Sequence, residues 1–155
     1  MLDTKPIIQS KVLSVIPTLS PSYSVKFEVK ITRFRREFNN IMQLLGGNRN
    51  VARVDLGYSL GLQRNMVSIC GAYKCPLSAL GVYVPLHQWT TIEMTQRKQA
   101  SSGDYLFIAK IGNVVLGPVM NKSPRTYRNV KVYASNPWHP PPQGFIRNMV
   151  INPEA

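Results

Sequence analysis

The sequence predicts an all-β protein built from antiparallel strands, and three observations support this. The stretch from Tyr23 to Ile31 alternates strictly between apolar and polar residues, which is typical of a strand with one buried face. Short apolar segments follow, separated by turn signals roughly every 8 to 12 residues. No segment longer than two helical turns shows a helical period. Together these patterns predict a β-sandwich or β-barrel.

The first strand is expected to end or bulge near Thr32, because Arg33 and Arg35 would otherwise continue on its apolar face. Further strands are predicted at residues 40–45, 54–60, 66–70, 79–85, 89–95, 105–110, 114–119, 130–134 and 145–151. No linker or internal repeat divides the chain, so residues 1–155 are expected to form a single domain. The expected core includes Tyr23, Val25, Phe27, Val29, Trp89, Ile92, Phe107, Val132 and Ile146.

The chain is strongly basic. Nineteen Lys and Arg residues against seven Asp and Glu give a formal charge of +12 and a pI near 10.1. Such a surface attracts polyanions such as sulfated glycans, nucleic acid or anionic membrane. A nucleic-acid partner is disfavoured, because aromatic residues do not interleave with the basic clusters as single-strand platforms require. No apolar run approaches the ~20 residues of a membrane span, so no transmembrane segment is expected.

The only two cysteines, Cys70 and Cys75, enclose four residues, a length typical of a hairpin loop. Facing residues in an antiparallel pair lie close enough for a disulfide. Half of a metal site and a pair of reduced thiols are the alternatives, although no second Cys or His pair completes a metal site. A disulfide would indicate an oxidising compartment. The opening residues lack the pattern of a signal peptide, which fits either a cytosolic protein or a secreted chain whose leader is not part of this sequence. We predict that Cys70 and Cys75 are joined, and on that ground we expect an extracellular protein.

The segment "YASNPWHPPPQGFIRNMVI" contains the first candidate binding residues. Asn136-Pro137 is expected to stop a strand, and the three prolines that follow form a stiff crossing to a final strand entered at Gly144. Trp138 is then presented on a braced turn, where its indole either stacks on a ligand or plugs the end of the sandwich. His139 beside it could act as a pH-sensitive contact.

Two groups of arginines are further candidates for ligand binding. Arg33, Arg35 and Arg36 lie where the alternation of the first strand fails, and Arg125 and Arg128 lie near the start of a later strand. The planar guanidinium suits sulfate and carboxylate groups because it makes paired, charge-assisted hydrogen bonds. The alternative is that each group is an ordinary solvated surface.

Two long segments carry a family resemblance. "LHQWTTIEMTQRKQASSGDYLFIAKIGN" and "YRNVKVYASNPWHPPPQGFIRNMVI" resemble the concanavalin A-like and laminin G-like domains of extracellular proteins over Leu86 to Ile151. The resemblance implies an antiparallel two-sheet jelly roll. The chain lacks the full galectin sugar-binding pattern, and its scattered aspartates do not form a legume-type metal site. No metal and no cofactor are therefore expected.

Members of these families mostly bind glycans, glycosaminoglycans or extracellular proteins. The resemblance therefore implies a secreted, lectin-like or adhesive recognition module whose ligand is a glycan, possibly acidic or sulfated, or a protein partner. The alternative is a structural or assembly protein that self-associates through its sheet surface, forming homo-oligomers.

Catalytic patterns are weak in this sequence. Glycosidases of this fold need two carboxylates close together, and Glu93 has no acidic residue two or four positions along its strand. Glu28, on another strand, is flanked by Lys26 and Lys30 and has the pattern of a solvated face. His87 and His139 lie beside prolines without a nucleophile motif. These observations predict that the chain is not an enzyme.

Overall fold

In the computed structural model, which describes residues 4–33, 37–59, 61–72 and 81–155, the chain forms β-strands joined by turns and loops. The twelve strands within these ranges, in chain order, are β1 (Lys5–Pro6), β2 (Val12–Leu19), β3 (Tyr23–Ile31), β4 (Asn39–Gly46), β5 (Arg49–Ser59), β6 (Arg64–Gly71), β7 (Val82–Tyr83), β8 (Trp89–Lys98), β9 (Tyr105–Ile111), β10 (Val114–Asn121), β11 (Tyr127–Tyr133) and β12 (Gly144–Asn152). No helix in the described part of the chain is long and apolar enough to span a membrane.

The strands form two six-stranded antiparallel sheets. Sheet A has the order β1-β12-β3-β8-β9-β10, and sheet B has the order β2-β11-β4-β5-β6-β7. Their apolar faces pack on each other and form the core, which confirms the predicted all-β jelly-roll sandwich. Strand β3 begins at Tyr23 and ends at Ile31 with every second residue buried, as its alternation predicted.

The predicted core is confirmed at Tyr23, Val25, Phe27, Val29, Ile92, Phe107, Val132 and Ile146, all of which are buried. The prediction for Trp89 is wrong. Trp89 pairs with Lys30 across β3 and β8, so both side chains lie on the outer face of sheet A, and the indole is only half-buried. The first residue of an apolar strand is not necessarily on its buried face, because the face depends on register.

Strands β1 and β2 were not predicted. Strand β2 contains Pro17 and lies at the edge of sheet B, where a residue without a backbone N–H is tolerated. Its burial pattern is irregular, since four of its eight residues are exposed and only two are buried. The sequence therefore shows neither the alternation nor the apolar run by which strands are recognised.

Residues 134–143, here called the proline loop, cross from β11 in sheet B to β12 in sheet A at one end of the sandwich. Thr32 donates its backbone N–H to the Gln143 carbonyl (2.9 Å), and His87 donates to the Ile31 carbonyl (2.8 Å). The chain segments after β3 and before β8 therefore meet the proline loop at the same end. The short connection from β2 to β3 lies at the opposite end, where Leu19 pairs with Tyr127.

Candidate functional site

The proline loop is anchored to sheet B by the buried side chain of Asn136. The Asn136 backbone N–H donates to Oδ1 of Asn40 (2.8 Å), and its side-chain amide donates to Oε1 of Gln43 (2.8 Å). Both partners lie on β4 and are themselves buried. These bonds link the loop to the middle of the sheet, so its position is fixed by the fold.

The same asparagine also shapes the turn that presents Trp138. Oδ1 of Asn136 accepts the backbone N–H groups of Trp138 (3.0 Å) and His139 (2.9 Å). This is the local turn that asparagine forms by bonding its own backbone two residues on. Trp138 is 62% exposed, although its backbone N–H and that of the next residue, His139, are both bonded to Asn136. The structure therefore presents an accessible indole on a fixed turn at this end of the sandwich.

A layer of polar side chains lies beneath the loop on sheet B. Asn40 donates to Oδ1 of Asp55 (2.9 Å), and Nε of Arg53 donates to Oδ2 of the same carboxylate (2.9 Å). Gln43 donates to Oδ1 of Asn50 (3.0 Å). Burial raises the pKa of Asp55, and the bonds from Asn40 and Arg53 offset only part of this effect. The layer supports the loop and leaves the half-exposed Arg53 side chain accessible to a ligand.

His139, the residue after Trp138, contacts a second aromatic ring. Phe38 is 46% exposed and makes an edge-on contact with the His139 imidazole, with the ring centroids 5.0 Å apart. His139 is half-buried, and its Nδ1 lies 3.3 Å from Oδ1 of Asn136. Phe38 and His139 thus form a pair of rings at the proline loop, next in sequence to the exposed Trp138. Sugars are commonly bound in this way, by stacking on aromatic rings and hydrogen bonding to fixed polar groups.

The structure does not bring the predicted arginines together. Arg33 is exposed at the end that carries the proline loop, because it follows β3 directly. Arg125 and Arg128 are exposed at the opposite end, where Arg128 pairs with Thr18 near the β2–β3 turn. The length of β3, about 25 Å, separates the two groups. Arg35 and Arg36 lie outside the described residues.

The predicted disulfide involves Cys70, which is buried at the end of β6. Cys75 lies outside the described residues, so the disulfide stays a prediction. Among the residues that the structure does describe, no three His, Cys, Asp or Glu side chains lie close enough together to hold a metal ion.

A second region, on the outer face of sheet A, was missed at the sequence level. Nζ of Lys30 lies 5.0 Å from the centroid of the Trp89 ring and 5.8 Å from that of Phe145. Cζ of Arg147 lies 3.9 Å from the Trp89 centroid. The register aligns Trp89, Lys30 and Phe145 across three neighbouring strands, an alignment that no spacing within one strand reveals.

Two carboxylates also lie on this face. Glu93 is opposite Lys26, and Glu28 is opposite Thr91, so the two glutamates are diagonal neighbours on adjacent strands. Hydrogen bonds from Asn148 and Arg147 lower the pKa of Glu28. Glu28 is therefore held as a carboxylate, which is the opposite of what a general acid needs.

Comparisons with known proteins show the fold. No protein-family model and no curated protein matches the sequence. The structure is similar to a native heptameric SAP-like pentraxin from Limulus polyphemus, with a TM-score of 0.63, 12% identity, and coverage of 99% of this chain and 77% of that one. It is also similar to domain 4 of an extracellular GH43 arabinanase from Geobacillus stearothermophilus, solved in complex with arabinotriose. The TM-score is 0.58, the identity is 18%, and the alignment covers 93% of this chain and 70% of that domain.

A third similar structure is the Trypanosoma rangeli sialidase, with a TM-score of 0.58, 14% identity, and coverage of 86% of this chain but only 20% of the sialidase. The prediction from weak catalytic patterns that the chain is not an enzyme is wrong, because similar structures include enzymes and enzyme domains. Two of these three likenesses are to enzymes, so membership of this fold does not separate binding proteins from enzymes.

Proposed function

We propose that the chain binds carbohydrate through the proline loop and the adjoining outer face of sheet B. The observation that carries the proposal is the exposed Trp138 indole on a turn fixed by Asn136. A ring on a preorganised turn binds a sugar at lower entropic cost, because the backbone loses little freedom on binding. The polar layer adds Arg53, whose exposed guanidinium can donate to sugar hydroxyl groups.

The fold supports this proposal from a second direction. One similar structure, the arabinanase domain, was solved with arabinotriose bound. We further propose that residues 1–155 form one secreted, lectin-like domain. This rests on the sequence resemblance and on the predicted bond between Cys70 and Cys75.

Acidic or sulfated glycans are the finer ligand class that we propose. Arg33, Arg125 and Arg128 are exposed, and none forms an ion pair with a described carboxylate. Because Arg33 and the other two lie at opposite ends, they would attract a long polyanion by their field, whereas Trp138 would bind one residue of it. This attraction should weaken at physiological salt, where screening shortens to ~8 Å.

The test compares the two tryptophans of the chain on a glycan array that includes neutral sugars. Trp138→Ala should lower affinity for the best neutral glycan by roughly tenfold or more, as loss of an exposed aromatic anchor does. Trp89→Ala, in the only other tryptophan, should leave that affinity within about twofold. Unchanged binding of neutral glycans by Trp138→Ala would contradict the proposal.

Self-association is the second candidate function, and one observation favours it. Three apolar side chains are exposed on the outer face of sheet A near its β10 edge: Ile108, Val115 (62% exposed) and Met120. Such a patch beside β10, which has no neighbour on its outer side among the described strands, is suited to a second copy. Sedimentation velocity should then show a concentration-dependent oligomer that Val115→Lys converts to monomer. A chain that stays monomeric at high concentration argues against self-association.

A further inference from the structure

Lys30 occupies an unusual position on the outer face of sheet A. It lies in the central row between Trp89 on β8 and Phe145 on β12, with its amine within 6 Å of both ring centroids. Contact with a ring face stabilises an ammonium while replacing part of its water shell. Lys30 makes no ion pair with any described carboxylate. Its charge is therefore oriented by the rings and remains available to an anion.

Arg147 provides the second cation of this cluster. Its guanidinium stacks on the Trp89 ring, while Nε (3.2 Å) and Nη2 (2.9 Å) donate to Oε1 of Glu28. Asn148 donates to the other oxygen of Glu28 (2.6 Å) and so helps to fix the carboxylate. The remaining nitrogen, Nη1, makes no hydrogen bond to a described residue. A fixed guanidinium with free N–H groups is well suited to a carboxylate or sulfate oxygen.

The charge balance of this face leaves an excess of cations. Along β3, β8, β9 and β12 the outward side chains include five cations and two carboxylates, namely Lys26, Lys30, Arg97, Lys110, Arg147, Glu28 and Glu93. Glu28 pairs with Arg147 (2.9 Å) and Glu93 with Lys26 (3.6 Å). Lys30 thus lies beside two rings without a described carboxylate as partner, in a field that already attracts anions.

We propose that Lys30, Arg147 and Phe145 bind an acidic sugar residue, a pyranose ring that carries a carboxylate or sulfate group. The anionic group would lie between the Lys30 amine and Nη1 of Arg147, which both approach the Trp89 ring. Phe145 is 36% exposed and offers a ring face for the sugar. Trp89 helps to position both cations, because the Lys30 amine and the Arg147 guanidinium each contact its ring. This surface lies on the opposite side of the sandwich from the polar layer of sheet B, so it does not depend on sugar binding at Trp138.

The test uses the fact that the chain has only two tryptophans. In Trp138→Phe, all indole emission comes from Trp89 and reports on this cluster alone. The probe is a heparin-derived tetrasaccharide, compared with its desulfated, carboxyl-reduced form and with inorganic sulfate. We expect the acidic tetrasaccharide to change Trp89 emission saturably and more tightly than inorganic sulfate, and the neutral form to give no change.

Two substitutions in this background separate a site from a general field. Lys30→Gln should weaken tetrasaccharide binding about tenfold. Lys26→Gln removes the same charge from the same face of β3, but its amine pairs with Glu93, and it should change affinity less than about twofold. Arg147→Lys keeps the charge and should still weaken binding, because the fork is lost. Melting temperatures of all variants check that they fold.

Equal losses for Lys30→Gln and Lys26→Gln would overturn the proposal, because they would show a diffuse positive field. Inorganic sulfate that binds as tightly as the tetrasaccharide would overturn the sugar specificity. Binding of neutral glycans at Trp138 is measured separately in Trp89→Phe, where all indole emission comes from Trp138. If neutral glycans do not bind there, the proposal for Lys30, Arg147 and Phe145 is unaffected.

Discussion

The two tryptophans of this protein are held in opposite ways. Trp138 lies on the proline loop, and hydrogen bonds from its backbone and that of His139 to Asn136 fix its position. Trp89 begins strand β8, and its position is fixed by pairing with Lys30 and by the Arg147 guanidinium stacked on its ring. The first indole is held through its main chain, whereas the second is also covered by neighbouring side chains.

This difference determines what each ring can do. A ring held through its backbone keeps its faces free, so Trp138 is suited to stacking against an uncharged ring. The Trp89 ring is partly covered by two cations that it contacts. Because these cations are held side by side on the ring, the Trp89 region is suited to binding an anion. A tryptophan on the loop at one end of the sandwich and a tryptophan on the outer face of sheet A therefore favour different ligand chemistry.

The largest expected effect is on the Trp138 side of this comparison. Asn136→Ala removes the acceptor for two backbone N–H groups and leaves the buried Oε1 of Gln43 without its donor. The free energy of unfolding should fall by about 2–4 kcal/mol, because buried polar groups lose their partners. Chemical denaturation measures the loss.

Asn148 is the matched control on the other face. Among the described residues its side chain bonds to Glu28, at an exposed position, and its φ of 55° favours glycine as the replacement. Asn148→Gly should change the free energy of unfolding by about 0.5 kcal/mol or less. Equal effects of the two asparagine substitutions would show that the proline loop is not anchored as described.

Gly144 lies between the proline loop and the Trp89 cluster, at the start of β12. Its substitution should give the next largest loss in the free energy of unfolding. A Cβ at this position would collide with the Lys30 carbonyl oxygen, since Gly144 starts β12 directly against the end of β3. Gly144→Ala should cost about 1–3 kcal/mol in the free energy of unfolding, because the backbone must move apart. Gly57→Ala is the control: that glycine has open space for a Cβ within β5, and the substitution should be neutral or slightly stabilising. Thermal unfolding distinguishes the two.

Removing each indole should sharpen the contrast further. Trp89→Ala should lower the free energy of unfolding by about 1–2 kcal/mol, because the half-buried ring loses its packing and its two cation contacts. Trp138→Ala should change it by less than about 0.5 kcal/mol, since that side chain is mostly exposed. A larger loss for Trp138→Ala would show that its indole plugs the end of the sandwich.

The fold could be predicted from the sequence because its strands are antiparallel and have one buried face, so that apolar and polar residues alternate along them. The alternation in β3 and the proline-bounded connection to β12 each have a local cause that the sequence shows directly. Edge strand β2 lacks such a signal, since Pro17 and solvent exposure remove both alternation and apolar continuity.

The candidate sites were only partly predictable, because they depend on register between distant strands. Trp138 could be found from its prolines, but the polar layer beneath it joins β4, β5 and the proline loop. The Trp89 cluster joins β3, β8 and β12, and a shift of one residue in pairing would turn Trp89 inward. Sequence spacing within one strand carries no information on such contacts.

The two regions also differ in the sign of their carboxyl pKa shifts. Burial raises the pKa of Asp55 beneath the proline loop, so ionised Asp55 costs stability at neutral pH, and this cost is relieved as pH falls through its raised pKa. Hydrogen bonds from Asn148 and Arg147 lower the pKa of Glu28 on sheet A. Ionised Glu28 therefore contributes stability that is fully present above its unfolded pKa.

The smallest predicted effect tests the lowered pKa of Glu28 on sheet A. Glu28→Gln should reduce the free energy of unfolding by about 0.5–1 kcal/mol near neutral pH, since the ion pair with Arg147 is partly exposed to solvent. The deficit should shrink as pH falls from roughly 4.5 through the lowered folded pKa, because wild-type Glu28 then becomes protonated and loses the same interaction. Glu93→Gln, which breaks only the longer and more exposed contact with Lys26, should show a smaller deficit at every pH. Urea unfolding across this pH range measures both. A Glu28→Gln deficit that stays constant down to pH 3 would mean that the carboxylate charge contributes nothing, and that Arg147 is held over Trp89 by stacking alone.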